Sequence, residues 1–337
     1  MTSVAIIIPF YQLKSGVLTR ALDSVRQQVI ESTAVRVIIV DDASPLSAEQ
    51  ELAETGFIMD AEWEVITQSN GGPGSARNTA LDRLTDNPPD FVAFLDSDDV
   101  WAPDHLDRAM RALAGRADFY GSDHQRLNEA ATYFNARPEV ARTLNRLGKS
   151  RVIGTNAVFE MESPDAIQAF AESYLVQTST VVYRWAALSA VRFDESLRTA
   201  GEDRLFWLDS AAAAQRCTID LALGSTCMDG VNIYENAMSW DSPAAIKRAA
   251  YQLIMWAKAK KRFAGNERAV AVISAELKNS CQFFMFLWLR ALARRRETNA
   301  PLLREVLNTE SISLGRLIAG LPGLVSFRLR KGDFTIS

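Results

Sequence analysis

Histidine and cysteine are scarce in this sequence. His105 and His124 are the only two histidines, which argues against a zinc site built on imidazoles and against a Ser-His-Asp triad. The three cysteines, Cys217, Cys227 and Cys281, are odd in number and lack the spacing of metal ligands. A disulfide scaffold is therefore not expected, and the cysteine content fits a reducing compartment.

Long apolar runs are also lacking. Residues 283–289 (FFMFLWL) are apolar throughout, but a membrane-spanning helix needs about 20 such residues. Lys278 and Arg290 flank the run, so it predicts a helix buried against the N-terminal part of the chain or in a homodimer. The N-terminus has neither a basic segment nor a cleavage site, which predicts a cytoplasmic protein without a signal peptide.

Two familiar nucleotide-binding signatures are absent as well. A dinucleotide-binding fold places a glycine-rich turn after its first strand, whereas this chain has residues 9–12 (PFYQ) there. The phosphate-binding sequence GxxxxGK[ST] occurs nowhere in the chain. Both of these classes of α/β protein are excluded.

The charge is divided unevenly along the chain. The 337 residues carry a formal net charge of −4. Residues 247–337 hold 17 Lys or Arg and 6 Asp or Glu, while residues 1–246 hold 20 and 35. This asymmetry predicts an acidic N-terminal part and a basic tail that faces something anionic. The pattern turns wholly helical at residue 243, which predicts two domains, residues 1–242 and 243–337.

Short apolar runs alternate with segments of helical spacing over the first hundred residues. The predicted strands are residues 4–8, 35–40, 63–67 and 91–95, and the predicted helices between them are residues 17–25, 47–55 and 75–84. This alternation is typical of βαβ units, so it predicts an α/β fold with a mostly parallel sheet flanked by helices. Two further long helices are predicted at residues 243–263 and 267–296, and a strand at residues 178–184. Residues 129–155 match no single pattern.

Polar and aromatic residues follow each of the first four strands. They are Pro9, Phe10 and Tyr11, then Asp41 and Asp42, then residues 68–74 (QSNGGPG), and finally residues 96–99 (DSDD). Ligands of parallel sheets bind in the crevice at the carboxyl ends of the strands. The sequence therefore predicts one binding site to which all four strand ends contribute.

The last of these turns, residues 96–99, contains three carboxylates among its four residues. Asp96, Asp98 and Asp99 repel one another unless a cation neutralises them. Hard oxygen ligands on a short loop suit Mg²⁺ or Mn²⁺, which bind one or two carboxylates together with substrate phosphates. The alternative is a solvated acidic turn that caps the helix after Pro103. The polar groups at the other strand ends favour the metal hypothesis.

Four blocks of sequence resemble the successive signatures of family 2 glycosyltransferases of the GT-A fold. They are residues 7–11 (IIPFY), 40–44 (VDDAS), 70–78 (NGGPGSARN) and 95–99 (LDSDD). Residues 9–25 also resemble bacterial exopolysaccharide glucosyltransferases of the succinoglycan type. The resemblance implies an inverting transfer of a sugar from a UDP-sugar to a hydroxyl of a glycan acceptor. The resemblance to glucosyltransferases of the succinoglycan type implies UDP-glucose as the donor and a lipid-linked oligosaccharide as the acceptor.

The same resemblance implies how the donor is bound. It implies that Pro9 and Tyr11 pack on the nucleotide base and that Asp42 hydrogen-bonds the uracil ring. It places Arg77 near the base or the diphosphate, and Asp96 near the ribose or the sugar. Each of these residues also has an ordinary structural interpretation, such as a strand end, a turn or a helix surface.

The metal and the catalytic base are implied in the same way. Asp98, together with Asp99, would bind the Mg²⁺ or Mn²⁺ that bridges the diphosphate. Residues 201–208 (GEDRLFWL) resemble the block of the family that supplies the base. Asp203 is the first choice for that base and Glu202 the second. The structural alternative is that both acids simply favour the first turn of a helix.

The chain departs from the family at one place. Family members often carry a histidine shortly after this block as a further metal or phosphate ligand, and residues 231–239 contain none. Asn236 or Tyr234 would replace it, or Asp98 would bind the metal alone.

Other hypotheses stay open at this stage. A sugar-phosphate nucleotidyltransferase would need a glycine-rich, arginine-containing loop after the first strand, which is missing. A nucleic-acid-binding protein led by the basic tail would leave the acidic strand ends unexplained, and residues 1–246 would repel phosphates, so no nucleic-acid partner is expected. A non-catalytic module that binds nucleotide-sugars is a third alternative. Residues 311–337, which mix apolar and basic side chains, predict either contact with the anionic inner face of the cell membrane or a solvated basic face.

Overall fold

The computed structural model describes residues 2–28, 33–115, 117–228 and 242–313, together with Gly315 and Leu317. The chain divides into two compact units. The first unit comprises Met1–Arg198 and Phe206–Val231, and the second comprises Thr199–Leu205 and Asn232–Ser337. The predicted domain boundary at residue 242 stays a prediction.

The first unit is built on one mixed sheet. Its strands are β1 (Thr2–Phe10), β2 (Thr33–Asp41), β3 (Glu62–Thr67), β4 (Phe91–Phe94), β5 (Asp99–Trp101), β6 (Phe119–Arg126), β7 (Lys149–Ile153), β8 (Asn156–Glu162), β9 (Val182–Arg184) and β10 (Arg216–Cys227). Their order is β3-β2-β1-β4-β9-β6-β10-β8-β7, and β5 pairs with β10. Strands β1 to β4 are mutually parallel, as are β6 and β10, whereas β5, β8 and β9 oppose their neighbours. The predicted mostly parallel sheet is confirmed.

Helices connect and flank these strands. They are α1 (Val17–Arg26), α2 (Ala48–Thr55), α3 (Pro73–Arg83), α4 (His105–Ala114), α5 (Pro138–Leu147), α6 (Ser163–Glu172), α7 (Trp185–Leu188) and α8 (Glu202–Ala213). The first three match the helices that the sequence predicts to within two residues at either end. The stretch that matched no pattern contains α5 and β7. The helix α5 does bury apolar residues on one side, Val140 and Leu144, whereas β7 is an edge strand with almost all of its residues exposed and therefore has no apolar alternation.

Both faces of the central strands are buried, as continuous apolar runs predict. On one face Ile6 and Ile8 of β1 belong to a hydrophobic cluster with Leu18 of α1. On the other face the ring of Phe94 makes edge contacts with Phe193, at 5.5 Å between centroids, and with Phe206, at 5.8 Å. The close packing leaves the strand tips as the place where polar side chains gather.

The register of the strands brings four carboxyl ends to one edge. Phe10 pairs with Asp41, and Asp41 pairs with Thr67. The end of β4 is joined to β1 through the pairing of Ile7 with Phe94. The predicted meeting of the strand ends is therefore confirmed.

The segment predicted as a strand at residues 178–184 begins differently. A short 3-10 helix covers Thr178–Thr180, and the strand starts only at Val182. The reason is a local hydrogen bond, since the side-chain oxygen of Gln177 accepts the N–H of Ser179 at 2.8 Å and caps the turn. Such side-chain bonds to the backbone compete with strand pairing.

The second unit contains the two long helices that the sequence predicts and a third, shorter helix that was not predicted. They are α9 (Pro243–Arg262), α10 (Glu267–Ala293) and α11 (Ala300–Asn308), each with an N-cap side chain that accepts a backbone N–H. The apolar run at residues 283–289 lies in α10, where Phe284 and Leu287 are buried. Across the described ranges, no helix combines the length and the apolar character needed to cross a membrane. The tail from residue 318 lies outside the described residues.

Candidate functional site

The acidic loop, residues 95–99, leaves β4 at the shared edge of the strand ends. It turns back at once, because the N–H of Asp99 donates to the carbonyl oxygen of Asp96 at 3.0 Å. The N–H of Asp96 donates to Oγ of Ser179 at 2.9 Å, and the carbonyl oxygen of Asp98 accepts the N–H of Met228 at 3.2 Å. The loop backbone is therefore fixed by its own turn, by Ser179 and by Met228, which follows β10. Its three carboxylates have different surroundings.

Asp96 forms an ion pair with Arg77 of α3. Oδ1 of Asp96 lies 2.5 Å from Nη2 of Arg77, and the two side chains are 25% and 4% exposed. The guanidinium group also lies 5.2 Å from the ring centroid of Phe193. A cation this deeply buried requires an anion beside it. The pair unites two of the predicted donor-binding residues.

Asp99 points inward. The residue is 3% exposed, and its Oδ2 accepts hydrogen bonds from Oγ of Ser179 at 2.5 Å and from Nε2 of Gln177 at 2.7 Å. Burial raises the pKa of Asp99 well above its ordinary value, and the negative charges of Asp98 and Asp96 raise it further. Oδ2 of Asp99 is thus occupied by hydrogen bonds inside the protein. Its predicted role as a metal ligand therefore depends on Oδ1.

Asp98 is only half-buried. Burial raises its pKa to about 6, and the negative charge of Asp96 adds to the effect, while the cations Arg20 and Arg77 oppose it. A raised carboxylate pKa reports unfavourable negative charge, which a divalent cation relieves. The pKa of Asp99 is raised as well, so the two predicted metal ligands differ in exposure: Asp98 is half-buried, whereas Asp99 is 3% exposed.

The residues present fit a metal that arrives with a nucleotide. In the portion of the chain that the structure describes, no group of three or more His, Cys, Asp or Glu side chains is placed to hold a metal ion. Mg²⁺ and Mn²⁺ in nucleotide-dependent enzymes need only one or two protein carboxylates, because phosphate oxygens and water complete the shell. A carboxylate loop with Asp98 at its accessible side supplies that donor set.

Asp42 anchors the glycine-rich loop between β3 and α3. Its Oδ1 accepts from Nε2 of Gln68 and from the N–H of Gly71, and its Oδ2 accepts from the N–H of Gly72, each at 2.8 Å. The carbonyl oxygen of Asp42 accepts from Nδ2 of Asn70 at 3.0 Å. The residue is 3% exposed, so it fixes the loop whatever it does toward a ligand.

Tyr11 is the exposed aromatic group of this edge. Its side chain is 40% exposed, whereas Pro9 is buried within β1. The next residue, Gln12, joins the loops on either side: its N–H donates to Oγ of Ser44 at 2.8 Å, and its Nε2 donates to Oγ of Ser97 at 3.1 Å. These bonds tie the β1 end to the β2 and β4 ends.

Four polar residues of this edge were not predicted, namely Gln12, Gln177, Ser179 and Arg198. Arg198 donates from Nη2 to the carbonyl oxygen of Asn70 at 3.1 Å, and so holds the glycine-rich loop from outside. These side chains belong to no charge cluster or glycine motif, and most lie far along the chain from their partners. No signal in the sequence marks them.

Glu202 and Asp203 lie in the first turn of α8, in the segment Thr199–Leu205 that belongs to the second unit. Glu202 is 7% exposed, and Asp203 is half-buried with Oδ1 accepting the N–H of Arg204 at 2.6 Å. Their catalytic role stays a prediction. Tyr234 and Asn236, the predicted substitutes for a histidine ligand, lie outside the described residues.

Solved structures share this fold. The structure of S. aureus TarS 1–349 in complex with UDP-GlcNAc matches with a TM-score of 0.55 and 19% identity, covering 97% of this chain and 81% of that one. The mannosyltransferase PcManGT from Pyrobaculum calidifontis, in complex with GDP-Man and Mn²⁺, matches with a TM-score of 0.54 and 17% identity, covering 96% and 86%. The sheet topology and this likeness place the chain in the GT-A fold class.

The amino-acid sequence is similar to a known family along most of its length. The family model for Glycosyl transferase family 2 matches residues 5–161. Succinoglycan biosynthesis protein ExoW of Rhizobium meliloti is 31% identical over 299 residues, which are 88% of this chain and 90% of that protein. The chain belongs to glycosyltransferase family 2, as the four sequence blocks predicted.

Proposed function

We propose that the protein is a metal-dependent, inverting glycosyltransferase that moves a sugar from a UDP-sugar to a hydroxyl of a glycan acceptor. The observation that carries the proposal is the Arg77–Asp96 ion pair beside the half-buried carboxylate of Asp98. A diphosphate with its divalent ion matches such an edge, because it offers negative oxygens to the guanidinium and a cation to the carboxylate. Family membership and the nucleotide-sugar complexes of the structural neighbours support the same class of donor.

The nucleoside would be bound by Tyr11 and Asp42. An exposed tyrosine ring beside a strand end suits stacking on a base. A carboxylate has about four lone-pair positions, and Oδ2 of Asp42 accepts one described bond, from the N–H of Gly72. The second lone pair of Oδ2 of Asp42 would accept a hydrogen bond from the imino N–H of uracil. Pro9 would pack against the uracil ring. Glucose is the proposed sugar, following the resemblance to succinoglycan-type glucosyltransferases.

The divalent ion would be held by Asp98, with Asp99 behind it. When bound, Mg²⁺ or Mn²⁺ would act as a Lewis acid that stabilises the negative charge of the departing diphosphate. Arg77 would add a fixed positive charge at the same place, already paired with Asp96 before the donor binds. Preorganised charge of this kind stabilises a transition state without reorganisation.

The acceptor would be activated by Asp203. Its carboxylate would remove the proton of the acceptor hydroxyl while that oxygen bonds to the anomeric carbon from the side opposite the diphosphate. The bond between that carbon and the diphosphate oxygen breaks, so the configuration inverts and the enzyme forms no covalent intermediate. Asp203 is preferred to Glu202 because it is the more exposed of the two.

The acceptor we propose is a lipid-linked oligosaccharide of exopolysaccharide synthesis at the cytoplasmic face of the membrane. The similarity to a succinoglycan biosynthesis protein supports this class of acceptor. The basic residues 311–337 would bring the enzyme to the anionic lipid surface. Liposome flotation with and without these residues tests that part, and equal behaviour of the two proteins would contradict it.

Nucleotide-dependent thermal shifts and turnover together test the whole proposal. UDP-sugars with Mn²⁺ should raise the melting temperature of the wild type, because a ligand at 100 times its dissociation constant stabilises by about 2.7 kcal/mol. Asp98→Asn should lose the Mn²⁺-dependent part of the shift, and Asp203→Asn should keep the shift but lose turnover. A wild type that binds UDP-sugars without any turnover would instead indicate a non-catalytic module. No shift with any UDP-sugar would contradict the proposal.

A further inference from the structure

Gln177 reaches two carboxylates of the acidic loop from a distant part of the chain. Its Nε2 lies 2.7 Å from Oδ2 of Asp99 and 3.5 Å from Oδ2 of Asp96. Its Oε1 accepts the N–H of Ser179 at 2.8 Å. The amide orientation is therefore determined, because the oxygen caps the 3-10 helix and the nitrogen faces the carboxylates.

Ser179 completes the same support. Its Oγ donates to Oδ2 of Asp99 at 2.5 Å and accepts the N–H of Asp96 at 2.9 Å. Its carbonyl oxygen accepts from Nε1 of Trp101 at 2.5 Å, and the residue is completely buried. The side chain and the backbone of Ser179 are thus both held by hydrogen bonds, so the residue supports the acidic loop rigidly.

The two groups that donate hydrogen bonds to Asp99, the amide of Gln177 and the hydroxyl of Ser179, are both uncharged. An amide and a hydroxyl bind a carboxylate without cancelling its charge, whereas Lys or Arg at position 177 would compete with a divalent cation. The three carboxylates of the loop disfavour one another's negative charge. Gln177 and Ser179 bind Oδ2 of the buried Asp99, and Asp98 between Asp96 and Asp99 is half-buried.

We propose that Gln177 is a positioning residue for the donor's metal–diphosphate group. It holds Asp99 and Asp96 in one arrangement, with Ser179 as its partner, and thereby directs Asp98 toward the divalent ion. The inference rests on the proposed function. It goes further by assigning a role in metal affinity to the segment before β9.

The test compares Gln177→Met and Ser179→Ala with Gln168→Met. Gln168 is a matched control, because it is also half-buried and its Nε2 donates to Oε1 of Glu172 at 2.9 Å on helix α6. UDP binding is measured by calorimetry with Mn²⁺ and with EDTA. The electron paramagnetic resonance signal of free Mn²⁺, titrated with protein and UDP, reports metal affinity directly.

Both Gln177→Met and Ser179→Ala should weaken Mn²⁺ binding in the presence of UDP by about 10- to 100-fold, the range seen when outer-layer partners of metal ligands are removed. UDP binding in EDTA should change much less, and Gln168→Met should match the wild type in both measurements. Ser179→Ala is a small change that carries the test if Gln177→Met does not fold.

The opposite results separate the inference from the proposed function. Wild-type Mn²⁺ affinity in the variants, with or without a lower melting temperature, would show a merely structural role and overturn the inference. A wild type that binds UDP no better with Mn²⁺ than with EDTA would overturn the proposed metal-dependent function itself.

Discussion

Asp42 and Gly72 are joined by a hydrogen bond of 2.8 Å from the backbone N–H to Oδ2, which links the end of β2 to the residue before α3. Gly72 has φ +88° and ψ 169°, a conformation that is open essentially only to glycine. The bond and the glycine therefore depend on each other: the loop amide reaches the carboxylate only because no Cβ is present.

Gly72→Ala should lower stability by about 1–3 kcal/mol through backbone strain, and it should weaken UDP binding by about tenfold or more because the loop amides move. Calorimetry with UDP and urea denaturation measure the two effects. Gly56→Ala is the control, since Gly56 also has a positive φ (+62°) but ends α2. It should lose stability and keep UDP affinity. Unchanged UDP affinity in Gly72→Ala would separate this loop from the nucleotide.

Arg77→Met should destabilise the protein by about 3–5 kcal/mol, because it leaves Asp96 charged and unpaired at a partly buried position. Asp96→Asn should cost at least as much, since it leaves the guanidinium of Arg77, which is only 4% exposed, without its anion. In the double variant the combined loss should be clearly smaller than the sum of the two single losses. Urea denaturation of the four proteins measures this coupling. Additive losses would mean that the ion pair stabilises neither partner.

Asp203→Asn should lower kcat by about 10²- to 10⁴-fold, the usual contribution of a general base, with little change in the KM for the donor. Glu202→Gln should affect turnover less. Steady-state kinetics with the donor found by the thermal-shift screen measures both variants. The reverse pattern, with turnover lost only in Glu202→Gln, would move the role of base to Glu202.

His105 should make the fold sensitive to acid. The residue is completely buried, neither ring nitrogen has a hydrogen-bond partner among the described residues, and burial, together with the charge of Arg108, lowers its pKa from 6.5 to about 3. The unfolded chain takes up the proton first, so this stabilisation is fully present above pH 6.5 and is lost as the pH falls toward 3. At pH 5 the loss is about 2 kcal/mol relative to pH 8.

Urea denaturation of the wild type and of His105→Leu at pH 8 and pH 5 checks this. The variant should lose about 2 kcal/mol less than the wild type between the two pH values, whatever its stability at pH 8. Equal losses in the two proteins would assign the acid sensitivity to other groups.

The sequence was sufficient to predict the strands and the edge where their ends meet. Runs such as residues 4–8 and 91–95 are short, apolar without interruption and separated by helical segments, which favours strands buried on both faces. Alternation with helical segments then fixes a parallel order and places Asp42 and Asp98 at the same edge. The positions of α9 and α10 followed from helical periodicity, whereas α11 was not predicted.

The sequence could not show what each acidic residue of the loop does. Asp96, Asp98 and Asp99 are chemically alike and nearly adjacent, yet Asp96 pairs with Arg77, Asp98 is half-buried, and Asp99 is buried with its carboxylate bound by Ser179. Their difference depends on partners elsewhere in the chain: Arg77 is 19 positions from Asp96, and Ser179 is 80 positions from Asp99. No local pattern encodes such a distant contact.

The sequence by itself determined the fold class, the family and the edge of the sheet that carries the site, because these follow from hydrophobic period and from residues adjacent in the chain. Only the tertiary structure decided how deeply each carboxylate of the acidic loop is buried and which residues bind it. The physical reason is that hydrogen bonds and desolvation act through space, so the partners of a side chain are set by which segments the sheet and its helices bring together.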